Sequence, residues 1–280
     1  MLSLIIAVYK NIAALELIFD TLSLQSFKNF EVIVAEDNDD AVMKMFIAAA
    51  GQKYFFPIRH VSQPDIGFRK TRALNAALKL SQTEYIVFID GDCLLHRHFL
   101  KQHYLLRDQH IALFGRRVML SEKISREILA HENDYTRQVL ATDKKSDYTA
   151  TIKLPTLFSL LTTGCERLDA ALYLPFMPTP IVRNSGIWGC NWSIHKKDLC
   201  AVNGFDEDYV AAGIGEDTDI EWRLKKNGVQ LKKIKFHALQ YHLYHPENYS
   251  NTTINEQLMA KKIAEGSFFC KNGINMKYEV

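Results

Sequence analysis

Two carboxylates, Asp90 and Asp92, flank a single glycine directly after Tyr85-Ile86-Val87-Phe88-Ile89, the most strand-like run of the sequence. An apolar run of this kind belongs inside a sheet, so both acids emerge at its mouth and Gly91 keeps the turn between them open. Paired hard oxygen ligands suit Mg²⁺ or Mn²⁺, which bind through one or two carboxylates together with substrate phosphates. A cation held there would neutralise charge building on a departing diphosphate. The same tripeptide is also good turn chemistry, and taken alone it does not choose between the two.

A second acidic group, Glu216, Asp217 and Asp219, follows Ala211-Ala212-Gly213-Ile214-Gly215, where a flexible loop enters a helix. Acids at a helix N-terminus are favoured by capping and by the helix dipole alone. The chemical alternative is that one carboxylate removes the proton of an attacking hydroxyl, an effect worth roughly 10²- to 10⁴-fold in rate. His237, His242 and His245 lie a little further on, near another strand end, where one of them could complete a metal site. His96, His98 and His103 read instead as surface residues of one helix, because i and i+2 do not share a face.

Between these groups, Gly67-Phe68-Arg69-Lys70-Thr71-Arg72-Ala73-Leu74-Asn75 puts Arg69 and Arg72 on one turn at a helix start, placed either to meet a diphosphate or to sit in solvent. Tyr9 and the pair Glu36-Asp37 follow the first and second apolar runs; the pair is positioned to read a nucleoside or to form a surface loop. No G-x-x-x-x-G-K-[ST] loop occurs and no G-x-G-x-x-G follows the first strand, which argues against an NTPase or a classical dehydrogenase.

The elements that must carry these residues are legible as a rhythm. Leu2 to Val8 reads as a strand, Ile12, Leu15, Phe19 and Leu22 as a helix face, Glu31 to Ala35 as a buried strand, 41–50 as a helix, 58–61 as a strand and 68–80 as a helix. Strands alternating with helices predict an α/β fold with a doubly wound, mostly parallel sheet carrying helices on both faces. In such sheets ligands bind beyond the carboxyl ends of the strands. The expected organisation is one composite domain with four parts. A first half spans 1–118, and 119–183 is an inserted helical, partly mobile segment with a helix over about 121–140. A second half spans 184–250, with regular structure over 187–194 and a helix over 216–227, and a C-terminal helix and tail spans 251–280, helical over about 251–270.

Composition narrows the class. At 280 residues, with 48% hydrophobic and 24% charged residues, the chain reads as an ordinary folded protein, and a net charge of +2 argues against a nucleic-acid partner. Lys225-Lys226, Lys232-Lys233-Ile234-Lys235 and Lys261-Lys262 read first as solvated faces, and second as contacts to anionic lipid headgroups or a charged acceptor. Five cysteines without a C-x-x-C pair point to a reducing compartment. With no signal-peptide n-region and no apolar run of membrane-spanning length, the expected location is the cytoplasm, with at most peripheral contact at the inner face of the membrane.

Taken in order, these segments resemble the family 2 glycosyltransferases of the GT-A fold. The resemblance covers roughly residues 1–118, through Glu36-Asp37, Gly67 to Asn75 and "EYIVFIDGDC", and 184–246, where Gly189-Cys190-Asn191-Trp192-Ser193 and "LCAVNGFDEDYVAAGIGEDTDIEWRL" look like the acceptor motif of galactosyltransferase-type and chondroitin-polymerase-type enzymes. It implies base contacts from Asp37 and the neighbourhood of Ala7 and Tyr9, diphosphate contact from Arg72, ribose contact from Asp90 and metal ligation by Asp92 with His242, His245 being the alternative. It implies Asp217 as general base, Glu216 as acceptor-sugar ligand, and an acceptor region including Asn191. Gly213-Ile214-Gly215 stands where the family has an aromatic Trp-Gly; Trp188 and Trp192 are the candidates to stack a sugar instead, core packing being the commoner use of Trp beside a strand. The implied reaction is inverting transfer of a hexose or N-acetylhexosamine from a UDP-sugar, with Mn²⁺ or Mg²⁺, to a glycan or lipid-linked glycan in capsule, lipopolysaccharide or exopolysaccharide assembly. The rival readings are a sugar nucleotidyltransferase, whose usual Gly-rich basic loop is missing after Val8, and a non-catalytic sugar-binding module.

Overall fold

The computed structural model describes residues 1–130, 162, 164–183, 186–246 and 253–275. The chain runs β1 (Leu2–Val8), α1 (Ile12–Ser23), β2 (Phe30–Glu36), α2 (Ala41–Lys53), β3 (Ile58–Ser62), α3 (Lys70–Leu80), β4 (Tyr85–Asp90), β5 (Cys93–Leu95), α4 (Phe99–Leu106), β6 (Ile111–Phe114), β7 (Val118–Met119) and α5 (Glu122–Leu129). A 3₁₀ turn (Leu168–Ala171) precedes β8 (Ile181–Val182), β9 (Trp192–His195), α6 (Lys196–Ala201), α7 (Glu216–Lys226), β10 (Gln230–Lys233), β11 (Gln240–His242) and α8 (Thr253–Glu265).

Eight strands form one sheet in the order β3-β2-β1-β4-β9-β6-β10-β8. The first four are parallel, β10 lies parallel to β6, and β9 and β8 run against their neighbours. Every residue of β1 and β2 is buried, as expected of parallel strands covered on both faces. Alternation sorts their side chains between two cores. Leu2, Leu4, Ile6 and Val8 pack with α1 and α2, whereas Ile5 and Ala7 pack with α3, α6 and α7. The doubly wound α/β architecture read from the sequence is therefore the one that forms. Because β9, β6 and β10 extend the same sheet beyond β4, both ends of the sequence reach one sheet mouth.

A second, three-stranded sheet, β5-β11-β7, crosses the end of this mouth. Its register sets Cys93 opposite His242, so β11 is delivered beside Asp92.

Several elements depart from expectation. Helix α2 runs to Lys53, and the expected helix over 121–140 is helical from Glu122 to Leu129. Its remainder, with about half of the proposed insertion, falls outside the described residues. Within 187–194 only Trp192 onward is strand, and the terminal helix occupies Thr253–Glu265. The reading of His96, His98 and His103 as surface residues is corrected: all three are buried, and only His103 lies on α4. His96 and His98 pack against Tyr173, with ring centroids 4.9 and 5.3 Å away. His103 meets Ser193 Oγ at 2.7 Å and Asn191 Oδ1 at 3.2 Å, and burial pushes its pKa down to about 3. Facing rules along one helix say nothing about a second layer lying over it.

Candidate functional site

Asp90 ends β4 in register with Ala7 of β1. The next turn is possible only with glycine, since a Cβ on Gly91 would lie 2.4 Å from Val8 Cγ2 and 2.9 Å from the Ala7 carbonyl oxygen. This close approach aims Asp92 across to β11, where Leu243 N–H donates to its carbonyl at 2.9 Å. There His242 Nε2 and His245 Nε2 stand 3.4 and 3.3 Å from Asp92 Oδ2. Ligand atoms of the three residues lie within 4.8 Å of one another. Two ligands bonded to one cation at about 2.1 Å and at right angles are about 3 Å apart, so the spacing fits a shared divalent ion. One oxygen and two imidazole nitrogens make a softer donor set than the oxygen cages Mg²⁺ takes. Burial alone would raise the Asp92 pKa, but hydrogen bonds from both histidines hold it well below the usual carboxylate range. His237 stands apart, buried beside Pro175 and Met177.

The cation that enters the site from α3 is neither Arg69 nor Arg72 but Lys70. Its Nζ lies 2.8 Å from Asp90 Oδ1 and 2.6 Å from Glu216 Oε1, joining the two acidic groups across 146 residues of sequence. Burial disfavours the ammonium, but the facing Asp90 and Glu216 charges hold it protonated. Arg72 is exposed, and the Arg69 guanidinium turns back to the Phe68 carbonyl at 2.7 Å. Sequence reasoning passed over Lys70, although its helical spacing to buried Ala73, Leu74 and Ala77 places it at the head of the inward stripe.

Glu216 and Asp217 occupy the first turn of α7. Asp217 Oδ1 accepts from Thr218 N–H at 2.8 Å and Oδ2 from Gly189 N–H at 3.4 Å, so the carboxylate faces the loop before β9. Burial pushes Glu216 up to about 7, with Lys70 opposing the rise, and burial raises Asp217 too. Glu216 Oε2 is buried with no hydrogen-bond partner among the described residues, leaving an acceptor atom for a ligand. The third acid, Asp219, serves the fold: it pairs with Arg223 at 2.7 Å and accepts from Tyr209 Oη at 3.1 Å.

The loop before α7 is set by Tyr209 and by α8. Gly215 has φ +129°, and a Cβ there would meet the Tyr209 ring at 2.2 Å. Asn255 of α8 donates from Nδ2 to the carbonyls of Ala211 at 2.8 Å and Ile214 at 2.6 Å. Gly215→Ala is expected to displace the first turn of α7, costing about 1–3 kcal/mol through strain and overpacking. A thermal melt should show the loss; an unchanged midpoint would contradict this account of the loop.

The remaining candidates divide. Asp37 is buried, with Oδ1 accepting from Gln63 Nε2 and Oδ2 from Arg69 N–H, each at 2.7 Å. Each oxygen keeps a second lone pair, so the group is fixed rather than consumed. Glu36 is drawn away into a 2.8 Å contact with His60. Tyr9 is exposed and donates to Asp65 at 3.0 Å. Asn191 is fully buried, with Nδ2 donating to the carbonyls of Arg116 and Ala238, so it props the site from behind. Trp192 stacks on Phe88 in the core, while Trp188 is half-buried beside the acids. A narrow cleft beside the second acidic group is lined by Ala7, Lys70, Leu74, Gly189, Glu216 and Asp217.

Comparison with known proteins agrees with this fold. The family described as "Glycosyl transferase family 2" matches residues 3–155, and "N-terminal domain of galactosyltransferase" matches 178–246. Validoxylamine A glucosyltransferase of Streptomyces hygroscopicus subsp. jinggangensis is 22% identical over 252 residues, covering 82% of this chain and 53% of the relative. The chain thus spans about half the length of the curated relatives it matches. S. aureus TarS 1-349 in complex with UDP-GlcNAc superposes with a TM-score of 0.60 at 15% identity, covering 99% of this chain and 68% of that one. The mannosyltransferase PcManGT from Pyrobaculum calidifontis, in complex with GDP-Man and Mn²⁺, gives 0.58 at 16%, covering 94% and 64%. The architecture is that of the GT-A glycosyltransferases.

Proposed function

The chain belongs to glycosyl transferase family 2, and from that premise we propose that it moves a hexose or N-acetylhexosamine from a UDP-sugar to a glycan acceptor, with inversion at the sugar carbon. The observation that carries the proposal is the Lys70 bridge. It ties Asp90, on the donor side and two residues before Asp92, to Glu216, on the acceptor side and next to Asp217.

In this reading Asp37, held by Gln63 and the Arg69 amide, recognises the base, with Ala7 and Tyr9 at its edge, and Asp90 takes the ribose. Asp92, His242 and His245 hold a divalent ion, Mn²⁺ before Mg²⁺, which when bound offsets the charge of the departing diphosphate. Glu216 orients the acceptor sugar through its unpartnered Oε2. Asp217, aligned by two backbone N–H groups, takes the hydroxyl proton as the acceptor oxygen attacks the sugar carbon and the bond to the UDP oxygen breaks. One base without a protein nucleophile is what a single displacement needs.

Placement in the cytoplasm is supported by five buried cysteines that form no disulfide. Among the described residues no helix is long and apolar enough to cross a membrane. Contact with the inner membrane face and a lipid-linked acceptor in cell-surface polysaccharide assembly belong to the same reading.

The metal assignment is tested by calorimetric titration of Mn²⁺ itself into wild type and Asp92→Ala. Loss of a direct ligand is expected to cost at least about 10²-fold in affinity, since supporting partners alone are worth 10- to 100-fold. Equal affinities would remove Asp92 from the metal site. Transfer is tested by UDP release from UDP-glucose and UDP-N-acetylglucosamine with chelator and with added Mn²⁺. GDP-mannose serves as the rival donor, and pyrophosphate as the product would indicate a nucleotidyltransferase.

A further inference from the structure

One cluster beside the acids has no place in the chemistry above. Three guanidinium groups converge on Trp188: Arg116 Cζ lies 4.4 Å from the ring centroid, Arg167 Cζ 4.5 Å and Arg117 Cζ 5.8 Å. Trp188 directly precedes Gly189, whose N–H faces Asp217. The cluster therefore borders the place where the acceptor hydroxyl must lie.

The arrangement is built rather than incidental. Arg116 and Arg117 follow β6 at Gly115, where a Cβ would strike the Asn191 side chain at 2.3 Å, so the backbone is pressed against the site's rear support. The Arg116 head is steered by the carbonyls of Gly115 at 3.0 Å and Gly186 at 3.3 Å. Arg167 reaches the ring from a left-handed backbone, φ +56°, at the head of the 3₁₀ turn. Arg117 leans toward Asp90 at 3.9 Å. Glu221, whose charge favours the Arg116 cation, also accepts from Ile187 N–H at 2.5 Å and Lys225 Nζ at 2.5 Å. Burial, and then repulsion from Arg167, bring Arg116 below the ordinary guanidinium range.

Stacking on an indole face explains why one guanidinium prefers this ring, but not why three like charges gather around it. Planar guanidinium forks match carboxylate and phosphate oxygens in pairs, and an aromatic face beside them accepts the apolar face of a sugar ring. We propose that Arg116, Arg167 and Trp188 form an acceptor-side oxyanion subsite, so that the acceptor is an acidic glycan carrying a carboxylate or phosphate close to its reacting hydroxyl. The inference rests on the transferase reading. The rival source of the same oxyanion is the donor diphosphate, since Arg117 leans toward Asp90 on the donor side.

The test uses the whole chain loaded with Mn²⁺ and UDP, titrated with three oligomers of matched length: a hexuronate-containing hyaluronan oligosaccharide, poly(glycerol phosphate) and neutral maltooligosaccharide. At least one acidic oligomer is expected to bind at least 10-fold more tightly than the neutral one. Arg116→Gln/Arg167→Gln is expected to remove that preference and to leave UDP affinity within 2-fold. Arg167→Gln alone, at an exposed position, should weaken acidic binding about 3-fold or more without changing the melting temperature. Equal binding of all three oligomers, or an acidic preference that survives the double change, overturns the subsite. A 10-fold fall in UDP affinity reassigns the arginines to the donor and also overturns it. UDP release from a UDP-sugar by the unaltered protein reports on the transferase reading separately.

Discussion

Asp217→Asn is expected to lower the turnover number for sugar transfer by about 10²- to 10⁴-fold, while the affinity for UDP stays within a factor of 2. The substitution keeps the size of the side chain and one oxygen able to accept from Thr218 N–H or Gly189 N–H, so the turn at the head of α7 should persist. What disappears is the ability to take a proton. A residue acting on the acceptor hydroxyl in the transition state should depress the turnover number and not donor binding. Steady-state kinetics at saturating donor, alongside calorimetry with UDP, separate the two. A variant that retains a tenth or more of wild-type turnover would assign the base elsewhere, with Glu216 next to be tested.

Lys70→Met should have the largest effect on stability. It removes the ammonium that bridges Asp90 and Glu216 and leaves two largely buried carboxyl groups without it, Asp90 keeping Arg117 at 3.9 Å. Breaking a buried pair by deleting one partner typically costs about 3–5 kcal/mol. The loss should depend on pH. Glu216 already sits at about 7, above its ordinary 4.5, because burial outweighs the Lys70 charge. A carboxyl raised on folding favours the folded state at low pH, and that contribution is lost as pH rises from about 4.5 through about 7. Without Lys70 the group rises further, so the variant should lie closer to wild type at pH 5 than at pH 8. Thermal melts at the two pH values read this directly; an equal deficit at both would mean that Lys70 acts through packing alone. The pH dependence of transfer offers a second readout, since Lys70→Met should move a Glu216-linked limb to higher pH.

These two residues also mark how unevenly the site was legible. Asp217 could be found because its signal is local: an acid where a glycine-rich loop enters a helix. Lys70 could not, because what distinguishes it from Arg69 and Arg72 is a partner 146 residues away. Glu36 and Asp37, neighbours after one strand, look alike in sequence, yet one is diverted to His60 of β3 and the other is held by Gln63 and α3. Asn191 sits within a motif that resembles an acceptor contact, but the layer formed by α4 and β9 turns it into a buried brace. The arginines at Trp188 come from residues 116, 117, 167 and their ring from 188, a gathering with no linear pattern to announce it.

The sequence alone determined the alternation of strand and helix, the two-sided burial of β1, β2 and β4, and the placing of Asp90-Gly91-Asp92 at a strand end, because the apolar period acts between neighbouring residues. The family followed from the order of those segments. Tertiary structure decided which charges face one another: Lys70 between Asp90 and Glu216, both His242 and His245 on one oxygen of Asp92, and three guanidiniums on one indole. Electrostatic and coordination energies depend on distances of a few ångströms between groups far apart in the chain, and only the closed sheet and its crossing partner set those distances.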